Sequence, residues 1–377
     1  MKKLLSVVLA LLMLAVMLPV VSLADDANYC TIEGVEGKFD TLTAAAKAWR
    51  ESKQIVTEGS TLGGHPAELT EVESIVWNIY GTVPAGDGAG VIGTSGSILS
   101  GGYITPSITI KNVTVNGYNN AIITKTGDPY VSCGANNVAF ANITFADTMR
   151  NDSNPGSLTF TNCTFKADLR MPHAGANSTL KVENCTFTGE VSSDYAIFVQ
   201  GTMTNVVLSG NNISGYQRGI NVEAGSTATV SITGNTITNL TGYTKNDQTY
   251  GAAIQLTTGK EFIITNNKID VNTGNAFRFY SGLDADVTIS DNIIKAPYLV
   301  WNQAELPNEK ITSQDNKLTI TNPNKAATSD GALEDATVIK AAPTQIVIIT
   351  PTGDTPKTEP EKNPTTGAND MVAAAVA

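Results

Sequence analysis

Apolar and polar residues alternate in short runs along most of the chain, and one eight-residue pattern recurs. It reads ITIKNVTV at 108, VAFANITF at 138, LTFTNCTF at 158, LKVENCTF at 180, VVLSGNNI at 206, VSITGNTI at 230, FIITNNKI at 262, VTISDNII at 287 and ITSQDNKL at 311. The starts lie 20 to 32 residues apart. Each octet alternates before a small polar turn, the period-two signature of a half-buried strand. Several octets are followed by a second apolar run, such as YAIFV at 195, GINV at 219, AIQL at 253 and AFRF at 276, and then by a Gly-rich turn. Strand, sharp turn, strand, loop and strand in about 25 residues describe one coil of a solenoid, with coils stacked about 4.8 Å apart. No coil buries its own apolar face, so the stack is the cooperative unit.

The sixth octet position is expected to face inward at the turn. Down the chain it reads Val113, Ile143, Cys163, Cys185, Asn211, Asn235, Asn267, Asn292 and Asn316. Buried asparagines at stacked turns can satisfy local backbone groups and one another, forming a ladder. Cysteine fills the same slot by packing. Cys163 and Cys185 therefore stand on neighbouring coils. Free buried thiols are favoured over a disulfide, because parallel side chains in a ladder seldom offer the required dihedral. Cys30 and Cys133 stay unassigned. The octet itself contains Asn-x-Thr, so the sequon-like NVT, NIT, NCT and NCT at 112, 142, 162 and 184 read as structural.

The octets resemble the repeat of the pectin-lyase-like, right-handed parallel β-helix superfamily. The segment KFDTLTAAAKAW at 38–49 is similar to the N-terminal helix that, in many exported members, precedes the first strand and caps the open core. Thr41 or Asp40 can cap such a helix, whose apolar face is Leu42, Ala45, Ala46 and Trp49. The expectation is an all-β, single-stranded right-handed parallel β-helix with an N-terminal helical cap and an extended C-terminal tail. The segments are 1–24, 25–100 (cap), 101–322 (β-helix), 323–362 (C-terminal segment and Pro/Thr-rich linker) and 363–377. The resemblance implies a fold that hosts pectate lyases, polygalacturonases, other glycan-active enzymes and non-enzymatic surface proteins.

The chain ends carry addressing signals. Lys2, Lys3 and an apolar run precede Ser22 and Ala24, which reads as a secretory signal cleaved between Ala24 and Asp25. Asn363, Pro364, Thr365, Thr366 and Gly367 resemble a Gram-positive sortase motif, NPxTG. The following ANDMVAAAVA is too short to span a bilayer. Export with cell-wall attachment is expected, with sortase as partner if the tail acts, and without membrane insertion of the mature chain.

Charge narrows the partners. With Lys2 and Lys3 removed from the 24 basic residues, 22 remain against 35 acidic ones, a net charge of -13. That disfavours nucleic acid and anionic membranes. Two histidines, His65 and His173, and four cysteines without CxxC spacing argue against a zinc site. No metal or cofactor is expected, unless a lyase-like site binds Ca²⁺.

The candidate chemistry lies on the outward side of the second apolar run. Alternation gives one row of Arg170, Phe198, Asn221, Gln255, Arg278 and Val300, and a next row of Pro172, Gln200, Glu223, Thr257, Tyr280 and Asn302, with Trp301 inward. A lyase needs clustered carboxylates for Ca²⁺ and an arginine base. An inverting hydrolase needs paired acids roughly 6.5–9.5 Å apart. Only Asp168 and Glu223 stand on these rows, more than one coil apart, and no catalytic residue is assigned. Phe198 and Tyr280 with Arg170, Asn221, Glu223, Gln255 and Arg278 suit sugar binding. The expected function is a non-catalytic adhesin or glycan-binding surface protein, with a polysaccharide or host-surface glycan as partner. A pectate-lyase-like or polygalacturonase-like enzyme is the first alternative and a structural stalk the second. Convergence of Asp168, Asp194, Glu223 or Asp247 on one another, or on Arg170 or Arg278, would favour the enzyme.

Overall fold

The computed structural model describes residues 28–58, 61–64, 66–85, 109–124, 137–150, 156–190, 194–245, 248–321, 326–327, 333–334 and 345–346. The export signal with Ala24 and Asp25, His65, Cys133, Asp247 and the tail motif at 363–367 lie outside them. So does the side chain of His173.

The strands form three columns, each hydrogen-bonded in parallel from coil to coil. The octet strands make the first column: 137–141 pairs with 157–161, then 179–183, 205–209, 229–233, 261–265, 286–290 and 311–314. The residues just past each turn make the second, from Thr144–Phe145 to Lys317–Ile320. The third holds Met149–Arg150, the start of Leu169–Glu183, the start of Tyr195–Ser209, and then Arg218–Glu223, Ala252–Thr258, Asn275–Phe279 and Tyr298–Asn302. This is a right-handed parallel β-helix, the hand that parallel crossovers favour. The parallel stack reaches back before residue 101, because Glu71–Pro84 already pairs with Thr109–Thr124.

The core follows the octet. Third and eighth positions point inward and are fully buried, from Phe140 and Phe145 to Ile289 and Ile294. Early coils stack phenylalanines face to face: Phe140 on Phe160 at 5.2 Å, Phe145 on Phe165 at 5.0 Å and Phe165 on Phe187 at 4.6 Å. Later coils place Leu208, Ile213, Ile232 and Ile237 in the same positions.

The fifth octet position turns the chain. Asn142, Asn162, Asn184, Gly210, Gly234, Asn266, Asp291 and Asp315 all have positive φ, between 53° and 68°. Gly, Asn and Asp are the residues that tolerate this backbone at least cost. The first three are the sequon-like asparagines, here serving as turn residues.

Directly inside each turn lies the ladder. The Oδ1 of Asn211 accepts the backbone N–H of Cys185, and Asn235, Asn267, Asn292 and Asn316 each do the same for the preceding coil, at 2.9–3.0 Å. Each Nδ2 donates to the third-position carbonyl of the preceding coil: Val182, Leu208, Ile232, Ile264 and Ile289. The thiols copy the pattern. Cys185 Sγ accepts from the N–H of Cys163 at 3.4 Å, and the two S–H groups reach Phe160 and Phe140 carbonyls at 3.7 and 3.6 Å. Both cysteines are free, as is Cys30.

One octet is out of register. Val113 pairs with Val138, a first position, so it is a strand residue and not a turn residue. Ile122 pairs with Thr144, which puts Ala121 level with Ile143. Four residues, Gly117–Asn120, stand where the next coil has Asn142 alone. A three-residue insertion thus displaced the pattern without breaking the apolar periodicity.

At the N-terminus, Tyr29–Ile32 pairs antiparallel with Glu71–Pro84. The helix Leu42–Ser52 follows, with the Thr41 side chain accepting the Ala44 N–H and with Leu42, Ala45, Ala46 and Trp49 buried. Among the described residues no helix is long and apolar enough to cross a membrane.

Candidate functional site: the outward face of the third column

Strand register along the third column brings Arg150, Arg170, Phe198, Asn221, Gln255, Arg278 and Trp301 into one row. The expectation for its last member was off by one. Val300 pairs with Phe277 and is fully buried, whereas Trp301 pairs with Arg278 on the outside. A one-residue slip in a strand exchanges its faces. Trp301 is 9 % exposed, and it is covered by the row rather than by the core.

The second row breaks at a bulge. Glu223 pairs with Gln200 on one side but with Thr258 on the other, which displaces Thr257. Thr257 instead donates its hydroxyl to Asn221 Oδ1 at 3.0 Å. Asn302 closes a local loop, with Oδ1 accepting the Leu306 N–H and Nδ2 donating to the Leu306 carbonyl. Pro172 has no described side chain.

The middle of the face is locked. Gln255 and Asn221 are buried. Gln255 Oε1 accepts the Tyr195 hydroxyl at 3.0 Å and Arg278 Nη1 at 3.3 Å. Its Nε2 donates to Thr257 at 3.3 Å. These amides hold their neighbours in place.

The C-terminal part is more open. The Arg278 guanidinium lies 4.1 Å from the Trp301 ring and 4.8 Å from the Tyr280 ring, and Nη2 donates to Gln303 Oε1 at 2.9 Å. Tyr280 is 38 % exposed. Cation–π contact fixes the plane of the guanidinium.

Of five arginines in the chain, Arg150, Arg170, Arg218 and Arg278 stand on this column, and only Arg50 is elsewhere. Arg218 stacks on Tyr195 at 3.9 Å and forms a two-pronged ion pair with Asp194, with Nε to Oδ1 at 2.6 Å. Arg170 Nε and Nη2 both reach Asp168 Oδ2 at 2.5 Å. Asp168 is buried while Arg170 is exposed. Beneath it, burial raises the Tyr216 hydroxyl pKa, and that hydroxyl donates to the Ala167 carbonyl at 2.9 Å.

The expected site residues thus separate into three groups. Gln255, Arg278 and Tyr280 come together, joined by Trp301, Gln303 and Tyr195. Asn221 attaches through Thr257, while Phe198 meets Tyr195 at 5.7 Å. Arg170 stands with Asp168 farther along the row, and Glu223 lies beside Gln200. Arg150 was not anticipated, although the sequence offered a signal: Thr-Met-Arg at 148 and Asp-Leu-Arg at 168 recur 20 residues apart. Asp168 meets Arg170, the convergence that would favour the enzyme, while Asp194 meets a different arginine, Arg218. Among the described residues no three Asp, Glu, His or Cys side chains converge to hold a metal.

Residues 148–322 match the family model described as a right handed beta helix region. No curated protein and no solved structure matches the chain.

Proposed function

Starting from a right-handed β-helix region over residues 148–322, we propose that the protein is an exported, cell-wall-attached surface protein that binds a polysaccharide or host glycan without cleaving it. Export and wall attachment rest on the leader ending at Ala24 and on the NPTTG tail. The reading of the face rests on one observation: Arg278 held between Trp301 and the exposed Tyr280, with Gln303 and Gln255 on its nitrogens. The exposed Tyr280 ring can take the apolar face of a sugar, while amides and a guanidinium take hydroxyl and carboxylate oxygens.

Asp168 on Arg170 is a contact that favours the enzyme alternative, whereas the pairing of Asp194 with a different arginine, Arg218, supports binding. Glycosidic cleavage by paired acids needs two carboxyl groups across one bond. Asp168 and Asp194 are instead each engaged by their own arginine. The test is retardation of the mature chain in gels containing pectin, polygalacturonate or a glycosaminoglycan. Tyr280→Ala and Arg278→Ala should each weaken binding about tenfold, the loss expected when a central aromatic or arginine contact is removed. Unchanged retardation in both variants would reject this face.

A further inference from the structure

A second aromatic surface lies at the other end of the solenoid. Tyr29, Tyr80 and Tyr118 are in strand register on three neighbouring strands and stack face to face, at 4.6 Å and then 5.1 Å. Lys38 Nζ sits 4.2 Å over the Tyr29 ring and closes that end. Among the described residues nothing stacks on the opposite end. Parallel pairing with the next coil stops at Asn116–Ala141 and resumes at Ile122–Thr144, so Tyr118 falls in the insertion. Among the described residues no ring stacks on its far side, and Tyr118 is 45 % exposed.

The insertion that carries Tyr118 is tightly constrained. A Cβ on Gly117 would lie 2.1 Å from the Asn142 carbonyl oxygen, so only glycine lets the chain leave the coil there. Asn119 and Asn120 both have left-handed backbones, φ 54° and 55°. Elsewhere among the described residues, non-glycine positive-φ residues occur singly. Asparagine tolerates this backbone, and two in succession make a tight turn directly after Tyr118. Both asparagines are exposed beside the ring.

We propose that Tyr118, Asn119 and Asn120 form a second saccharide platform, which takes the apolar face of a pyranose ring in a polysaccharide. The stack behind Tyr118 holds the ring before ligand arrives, so little side-chain entropy is lost on binding. The adjoining amides offer both donors and acceptors to sugar hydroxyls. The choice of ligand class rests on the glycan-binding reading above. The site itself rests on different residues and on a different part of the fold.

The experiment is affinity electrophoresis of the mature chain through pectin, xylan and hyaluronan, with four variants: Tyr118→Ala, Tyr118→Phe, Asn119→Gly/Asn120→Gly and Arg278→Ala/Tyr280→Ala. For a polysaccharide that retards the wild type, Tyr118→Ala should lose at least fivefold in affinity and Tyr118→Phe less than twofold. The glycine pair, which keeps the left-handed backbone while removing the amides, should lose affinity with an unchanged unfolding midpoint. Wild-type retardation in both Tyr118→Ala and the glycine pair overturns the platform and leaves the third-column reading standing. Loss in Tyr118→Ala with none in Arg278→Ala/Tyr280→Ala supports the platform and overturns the third-column reading. A wild type retarded by none of the three polysaccharides overturns the platform. So does concentration-dependent dimerisation abolished by Tyr118→Ala without any retardation.

Discussion

The side-chain Oδ1 of Asn267 accepts the backbone N–H of Asn235, one coil earlier, at 2.9 Å, and also takes the Asn235 Nδ2 at 3.0 Å. In the same rung Asn267 Nδ2 donates to the Ile232 carbonyl at 2.8 Å. One buried amide therefore satisfies a backbone donor and a backbone acceptor that the turn would otherwise strand.

Removing it should be expensive. Asn267→Ala leaves the Asn235 N–H and the Ile232 carbonyl buried without those partners. At about 1–3 kcal/mol for each of these two buried polar groups left unmet, a loss of roughly 2–6 kcal/mol is expected. Asn267→Asp should cost more at neutral pH, since it keeps the acceptor but turns a charge toward the Ile232 carbonyl. Urea unfolding followed by far-ultraviolet circular dichroism measures both. A midpoint unchanged in Asn267→Ala would mean the ladder is incidental.

The thiols give the converse test. Cys185 uses Sγ as acceptor and S–H as donor in the geometry that Asn211 fills with Oδ1 and Nδ2. Sulfur does both weakly. Cys185→Asn should therefore fold with stability within about 1 kcal/mol of wild type, whereas Cys185→Val should lose about 1–2 kcal/mol. If valine is tolerated better than asparagine, packing and not hydrogen bonding selects the residue here.

Burial sets the behaviour in alkali. The Cys30 thiol, buried and reaching the Thr41 carbonyl at 3.5 Å, is pushed up from 9.0 to about 12. Burial also raises the Tyr216 hydroxyl, while the Cys163–Cys185 contact raises the Cys185 thiol and lowers the Cys163 thiol, so that pair works in both directions. At Cys30 and Tyr216 the folded state thus keeps protons that the unfolded state releases. The stabilisation is complete below pH 9 and is lost as pH rises from 9 toward 12. For Cys30 alone, 9.0 against about 12 corresponds to at most roughly 4 kcal/mol. Stability should fall steadily above pH 9, and less steeply in Cys30→Ala. Under the same account Cys30, Cys163 and Cys185 resist a thiol reagent at pH 8 until denaturant is added. Rapid native labelling of any of the three would contradict it.

Much of this fold was legible because each coil repeats one pattern against the same neighbours. The alternation located the octet strands and, as the second apolar runs, the third column, and the sixth-position column from Cys163 onward named the ladder before any coordinates. The fifth-position turn was equally visible in its run of Asn, Gly and Asp, but a backbone angle leaves no hydrophobic signal. Val113 went astray because the insertion at Gly117–Asn120 keeps apolar residues at even spacing. Val300 and Trp301 exchanged faces because both are apolar and only pairing with Phe277 and Arg278 fixes register. The site was less readable still. Its members come from separate coils, and the burial of Asn221 and Gln255 depends on Tyr195 and Thr257, which no local pattern links to them.

The central claim is that this β-helix binds a glycan and leaves it intact, and one assay addresses it. The mature chain is incubated with pectin, polygalacturonate and glycosaminoglycans, with and without Ca²⁺, and scored for bound protein, unsaturated products and new reducing ends. The account predicts retention on at least one polysaccharide, weakened by Tyr280→Ala, with no product in any condition. Product that appears with wild type and vanishes in Arg170→Ala or Arg278→Ala would contradict it and make that arginine the base of a lyase.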